Sequence, residues 1–350
     1  MLNLSKRLFV AQGFALPLAL FYSRNANAAE GFDFQSVRAN YLERIRKIKN
    51  TGLLPIIDIE SSYNPLEIDL SAFTRSMDRA GIAMMCLSVD QPGKLVEQGA
   101  IWSDHALESF VKFPEYFIPT GNGGNHPAWT KFPLDFLMAL EKFIPGHNYP
   151  LMGEFEVRHY PSPRQISRGA FFRDVEVAID GPLMERVFML AEKTGIPFQI
   201  HYEIEDKLLE PLARMLGKFP KAKVIWCHLA QIRYQQRSTQ YGPAMLEKWL
   251  DQFPNLYIDT AFGDALSRYQ PSGERHARFW SDAQAWTNLI VAKPYRFLAA
   301  LDIGGDRMDK IEEWTKNLRY FLNRLPMPTR EIVAYKAAWK LLFNEESGSL

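Results

Sequence analysis

Cysteine is nearly missing from this chain: two occur in 350 residues, Cys86 and Cys227, each inside an apolar run. That leaves no cysteine-based zinc pattern. It points to two buried thiols, with a bridge between distant strands as the lesser alternative. An excess of either charge is also missing, since 41 basic residues face 40 acidic ones, so there is no nucleic-acid footprint. No glycine-rich phosphate turn follows the first strand-like run, which argues against a doubly wound dinucleotide fold. Short repeats and low-complexity tracts are lacking too. Past residue 30 no apolar run is long enough to span a membrane.

What is present begins with a leader. Lys6 and Arg7 precede a mostly apolar stretch over 8–22, and Ala26-Asn27-Ala28 follows as a small-x-small cleavage pattern. This reads as a secretory signal peptide over 1–28, and implies a periplasmic or secreted mature chain. Gln12, Gly13 and Pro17 interrupt the run, so a loosely amphipathic N-terminal helix is the alternative. The whole chain is 47% hydrophobic, and the remainder, 29–350, is long enough to bury one large core as a single domain.

Eight strand candidates lie in that remainder, at 53–60, 82–90, 117–124, 151–157, 197–203, 224–230, 256–262 and 296–302. Helical patterns alternate with them, at 103–113, 134–144, 182–194, 206–219 and 243–253 for example. Many of these stop at Gly81, Pro114, Pro145, Gly195, Pro220 or Pro254, as helix termination requires. A last helical pattern at 330–343 packs on the wall. Eight parallel strands joined by helical crossovers close into a single (β/α)8 TIM barrel, the expected α/β fold.

Two of the strands end in histidine. Alternation sets Gln199, His201 and Glu203 against Phe198, Ile200 and Tyr202, and gives Trp226 and His228 a common face. The same parity leaves Glu154, Glu156 and Arg158 pointing inward from strand four, and Asp58, Glu60 and Ser62 together on strand one. Asp259 and Asp302 end strands seven and eight. Polar residues therefore gather at the carboxyl ends, where this fold places its chemistry. Glu60, Glu154, Glu156, Glu203, Asp259 and Asp302 cannot all stay ionised in one confined site. Either a metal ion sits among them or some hold protons. Glu156 and Asp259 suit ordinary salt bridging. Basic residues crowd the loops above: Arg158, Arg164, Arg168 and Arg173 after strand four, Arg233 and Arg237 after strand six, and Arg268, Arg275 and Arg278 after strand seven. Guanidinium groups there suit a carboxylate or phosphate on a small substrate.

In order and spacing, Pro55-Ile56-Ile57-Asp58, Gly153-Glu154, Ile200-His201-Tyr202-Glu203, Val224 to Ala230, Asn255 to Asp259 and Arg296 to Asp302 resemble the amidohydrolase-related branch of the metal-dependent amidohydrolase superfamily. The resemblance implies a TIM barrel in which His201 binds metal. His228 contacts substrate or a second metal, and Asp302 binds metal and takes a proton from the attacking water. Strand one departs from the pattern: Glu60-Ser61-Ser62 stands where His-x-His is usual, although decarboxylase-type members carry Glu-x-His. Glu60, His201 and Asp302 still make three ligands for zinc or manganese, with a nitrogen donor lost at Ser62.

Taken together, the sequence points to a hydrolase of a C–N or C–O bond in a small, anionic amide, ester or lactone. Asp302, His228 and His201 are the catalytic candidates, and Glu154, Arg158, Glu203 and Arg233 the substrate-binding ones. A non-oxidative decarboxylase or metal-free lactonase of the same fold is the first alternative. A barrel that binds a ligand without turnover is the second. The sequence leaves oligomeric state open, a homo-oligomer included.

Overall fold

The computed structural model describes residues 31–230, 238–261 and 282–345. The expected leader lies outside them, as do Arg233, Arg237, Arg268, Arg275 and Arg278. The strands, in chain order, are β1 (Ile56–Tyr63), β2 (Ile82–Val89), β3 (Phe117–Gly121), β4 (Leu151–His159), β5 (Val175–Glu176), β6 (Phe198–Tyr202), β7 (Val224–Trp226), β8 (Leu256–Asp259) and β9 (Phe297–Leu298). Eight of them pair in parallel, in the order β1-β2-β3-β4-β6-β7-β8-β9.

The ring returns on itself beyond β9. Ile59 N–H donates to the Ala299 carbonyl at 3.0 Å, Asp302 N–H to the Glu60 carbonyl at 3.0 Å, and Ser62 N–H to the Ile303 carbonyl at 2.8 Å. Helices cover the outside, so the chain is a single (β/α)8 barrel. Their ends follow local chemistry. Asp69 caps the helix Leu70–Ala80 by accepting Ser71 N–H, and Gly81 ends it at φ 71°, a left-handed position that glycine adopts without a Cβ clash. The final helix is not uniform. Ala337 N–H reaches back to the Ile332 carbonyl, one wide turn ahead of Ala337–Phe343.

Three departures from the sequence expectation bear on the site. The first strand runs later than expected, from Ile56 to Tyr63, because it must reach the segment after β9. β4 extends two residues further, to His159, because the short β5 pairs with it antiparallel, Arg158 against Glu176. β7 stops at Trp226 rather than continuing to residue 230, because His228 (φ 60°) and Leu229 (φ 49°) both adopt the left-handed region. Two such residues in succession bend the chain sharply. Trp226 and His228 consequently do not share a face. Trp226 packs outward on Trp249 and Tyr241, while His228 turns toward the barrel mouth.

Candidate active site

The barrel interior below the mouth is acidic. Asp58, fully buried, accepts from Ser61 Oγ at 2.6 Å, Leu301 N–H at 2.9 Å and Glu60 N–H at 3.2 Å. Burial raises its carboxyl to about 7 against these donors. Across the barrel, Gln199 Nε2 donates to the Ile59 carbonyl, which confirms that the Gln199 and His201 parity faces inward.

One layer higher, three side chains form a tight triangle. His228 Nε2 is 2.8 Å from Glu154 Oε1, His201 Nδ1 is 3.0 Å from the same oxygen, and the two ring nitrogens are 3.2 Å apart. Glu60 lies on the other side of His228, its Oε2 3.3 Å from Nδ1. Glu60, His228 and Asp302 form a second set of donors within 4.8 Å of one another. The expected trio Glu60, His201 and Asp302 is thus divided between two sets that meet at His228.

Each triangle member is positioned by its surroundings. Burial alone would depress His201, yet Glu154 and then Glu203 push it up to about 9. Glu203 Oε1 is 3.3 Å from His201 Nε2 and also accepts Tyr160 N–H at 2.9 Å. A carboxylate there holds the Nε2–H, so the Nδ1 that meets Glu154 and His228 is the nitrogen that would give up its proton to take a metal ion. The left-handed turn at His228 is held by Asp259, fully buried, whose Oδ1 accepts His228 N–H at 2.8 Å and Ala261 N–H at 3.1 Å. Burial would raise Glu154, but His201 and His228 outweigh it and hold the carboxyl well below its usual range. Glu60 moves the other way, raised first by burial and then by the charges of Glu154, Asp259, Asp302 and Asp58. The cluster therefore divides its protons unevenly, as closely spaced carboxylates do.

The triangle also bears on whether a divalent ion suits this site. Neighbouring donors on one six-coordinate ion with bonds of about 2.1 Å stand about 3.0 Å apart, the spacing of these three atoms. Two imidazoles and a carboxylate suit zinc or manganese. The donor set fits.

Other expected residues are engaged elsewhere. Arg158 bonds Asp174 at 2.7 Å, Glu205 at 3.2 Å and the Val175 carbonyl, and stacks over the Tyr160 ring. Ser62 Oγ donates to Asp90 at 2.8 Å. Glu156 is ion-paired with Arg173, the ordinary salt bridge expected of it. His159 was not singled out by sequence. Its ring lies 4.6 Å from that of His201, its Nδ1 meets the Arg173 carbonyl, and it forms a donor set with His201 and Glu203. Alternation argued against it, since residue 159 shares the parity of the helix-facing Phe155 and Val157; its only signal was its place beside the arginines after strand four.

Residues 148–302, which carry most of this site, match the family model described as Amidohydrolase. This part of the chain is amidohydrolase-like. No curated protein matches the sequence. Solved structures similar to this chain include a 2,6-dihydroxybenzoate decarboxylase complexed with 2,6-dihydroxybenzoate (14% identity, TM-score 0.50, 83% of this chain and 99% of that one). A TIM-barrel protein of Bordetella bronchiseptica shares 15% identity at a TM-score of 0.52, covering 83% and 98%. A protein named amidohydrolase II shares 15% at 0.50, covering 82% and 99%. At such identities the likeness establishes the fold.

Proposed function

We propose that the protein is a metal-assisted hydrolase of a small amide, ester or lactone, acting in the periplasm after its leader is removed. The observation that carries this reading is the Glu154–His201–His228 triangle, with the partly exposed Asp302 beside His228. Glu154, His201 and His228 would hold a divalent ion, which when bound would lower the pKa of a water and offer positive charge to a developing oxyanion. Around it the chain's own groups divide the work. Glu203 holds the ring of His201 and Asp259 the backbone of His228, so both donors are aimed before substrate arrives. Asp302, at the mouth, takes the proton of the attacking water. His228 belongs among the donors in this reading rather than against the carbonyl, because its Nε2 already faces Glu154 and His201. Arg158 serves as a strut for the loop after β4.

The test is hydrolysis of an amide, ester and lactone panel by zinc- or manganese-loaded protein. Asp302→Asn is expected to lower turnover by about 10²–10⁴-fold, and chelation to abolish it. Turnover indifferent to both would refute the proposal.

Decarboxylation of an aromatic acid is a second reading, favoured by Phe171 and Phe172. These rings are 66% and 55% exposed, on the turn whose Arg173 grips Glu156. Phe172 also lies 4.6 Å from the His126 ring in the loop after β3. Two apolar rings on the site's face of the barrel suit a flat substrate. Carbon dioxide release from hydroxybenzoates by the same preparations, without hydrolysis of the panel, would favour it.

A further inference from the structure

Cys227 stands where β7 gives way to the left-handed turn, one residue before His228, and is buried. Its sulfur, a Glu60 oxygen and a Glu154 oxygen all lie within 4.8 Å of one another. The thiol itself donates to the Ile225 carbonyl at 3.8 Å, and with Asp259 close by three acids and a sulfur crowd a small volume. A second observation points to a ligand there. Glu60 is 6% exposed, and its Oε2 is wholly buried without accepting a hydrogen bond. The ring nitrogen facing it is His228 Nδ1, at 3.3 Å. A buried carboxylate oxygen left so is costly unless a cation completes it. Ser62, on the same strand, offers nothing, because its hydroxyl is turned to Asp90.

We propose that Cys227 is a metal ligand which, with Glu60 and Glu154, makes a zinc position sharing the Glu154 carboxylate with the Glu154–His201–His228 set. The inference rests on the reading that the site holds a divalent ion. Thiolate is a soft donor and oxygen-preferring manganese a poor match for it, so Cys227 biases this position to zinc. Metal binding would displace the thiol proton, which in the free protein points to the Ile225 carbonyl. Cys86 lies outside every donor set among the described residues.

X-ray absorption at the zinc edge of the zinc-loaded wild-type protein tests this without a variant. A sulfur scatterer at about 2.3 Å is expected. Cys86→Ser should retain it, and Cys227→Ser should lose it together with part of the bound zinc. Cobalt-loaded wild type should show a near-ultraviolet thiolate charge-transfer band that Cys227→Ser lacks. Zinc bound with only nitrogen and oxygen neighbours overturns the Cys227 assignment and leaves the metal reading standing. Protein that takes up no zinc overturns both.

Discussion

At the scale of single residues, the acids divide into those that would hold an ion and those that aim its ligands. Glu203 is of the second kind, since it touches His201 on the nitrogen away from the triangle. Glu203→Gln is expected to weaken zinc affinity about 10–100-fold, as loss of such a partner does elsewhere, while the fold survives. Competitive chelator titration measures it, and unchanged affinity would make Glu203 a loop anchor through Tyr160 alone. Arg44 is a stability counterpart. It is buried and donates to the Ile82 and Ala83 carbonyls and to Asp78 at 2.6 Å. Arg44→Leu leaves those acceptors without it, and a loss of about 1–3 kcal/mol is expected in urea unfolding. His201, Asp302 and Glu60 were readable in the sequence because alternation gave each an inward parity near the end of an expected strand, although β1 continues to Tyr63 and β9 stops at Leu298, leaving Asp302 beyond it at φ 47°. The alliance of Arg173 with Glu156 and His159 was not. It depends on a turn folding back over β4, and neither periodicity nor spacing records that.

At the scale of elements, the order of strands and helices was legible and their ends were less so. Strand candidates followed apolar runs, but hydrogen bonding decides where a strand stops. The run through Val224-Ile225-Trp226-Cys227-His228-Leu229 is apolar enough to continue as strand. Instead it ends at Trp226, because Asp259 on the neighbouring strand captures His228 N–H and favours the left-handed turn. Asn255 does similar work at the opposite end of the barrel. Its Nδ2 lies 3.2 Å from the Leu216 carbonyl and 3.0 Å from those of Phe219 and Ala222. Asn255→Ala should destabilise the fold by about 1–3 kcal/mol, since it strands buried acceptors. A thermal midpoint equal to wild type would contradict that role.

For the whole molecule, closure of the ring concentrates buried acids, and this sets a pH dependence. A carboxyl whose pKa rises on folding stabilises the fold below its unfolded value, and that contribution fades as pH climbs through the folded value. Asp58 shifts from 3.8 to about 7, and Glu60, Glu156 and Asp259 are raised as well. His201, raised to about 9, adds a contribution lost in the same direction. Glu154, held low, opposes them only in the acid range. Metal-free protein should therefore lose stability steadily from pH 5 to pH 9. Asp58→Asn should lose less over the part of that range near pH 7, and unfolding midpoints at several pH values check both. Saturating zinc should flatten or reverse the trend, because it binds the deprotonated donors and stabilises only the folded state.

Most directly, the account can be tested by anomalous-difference crystallography of zinc-soaked protein at the zinc edge. It predicts a peak within bonding distance of Glu154, His201 and His228 that disappears in His201→Ala. A wild-type map with zinc elsewhere on the molecule and none between those three side chains would contradict it.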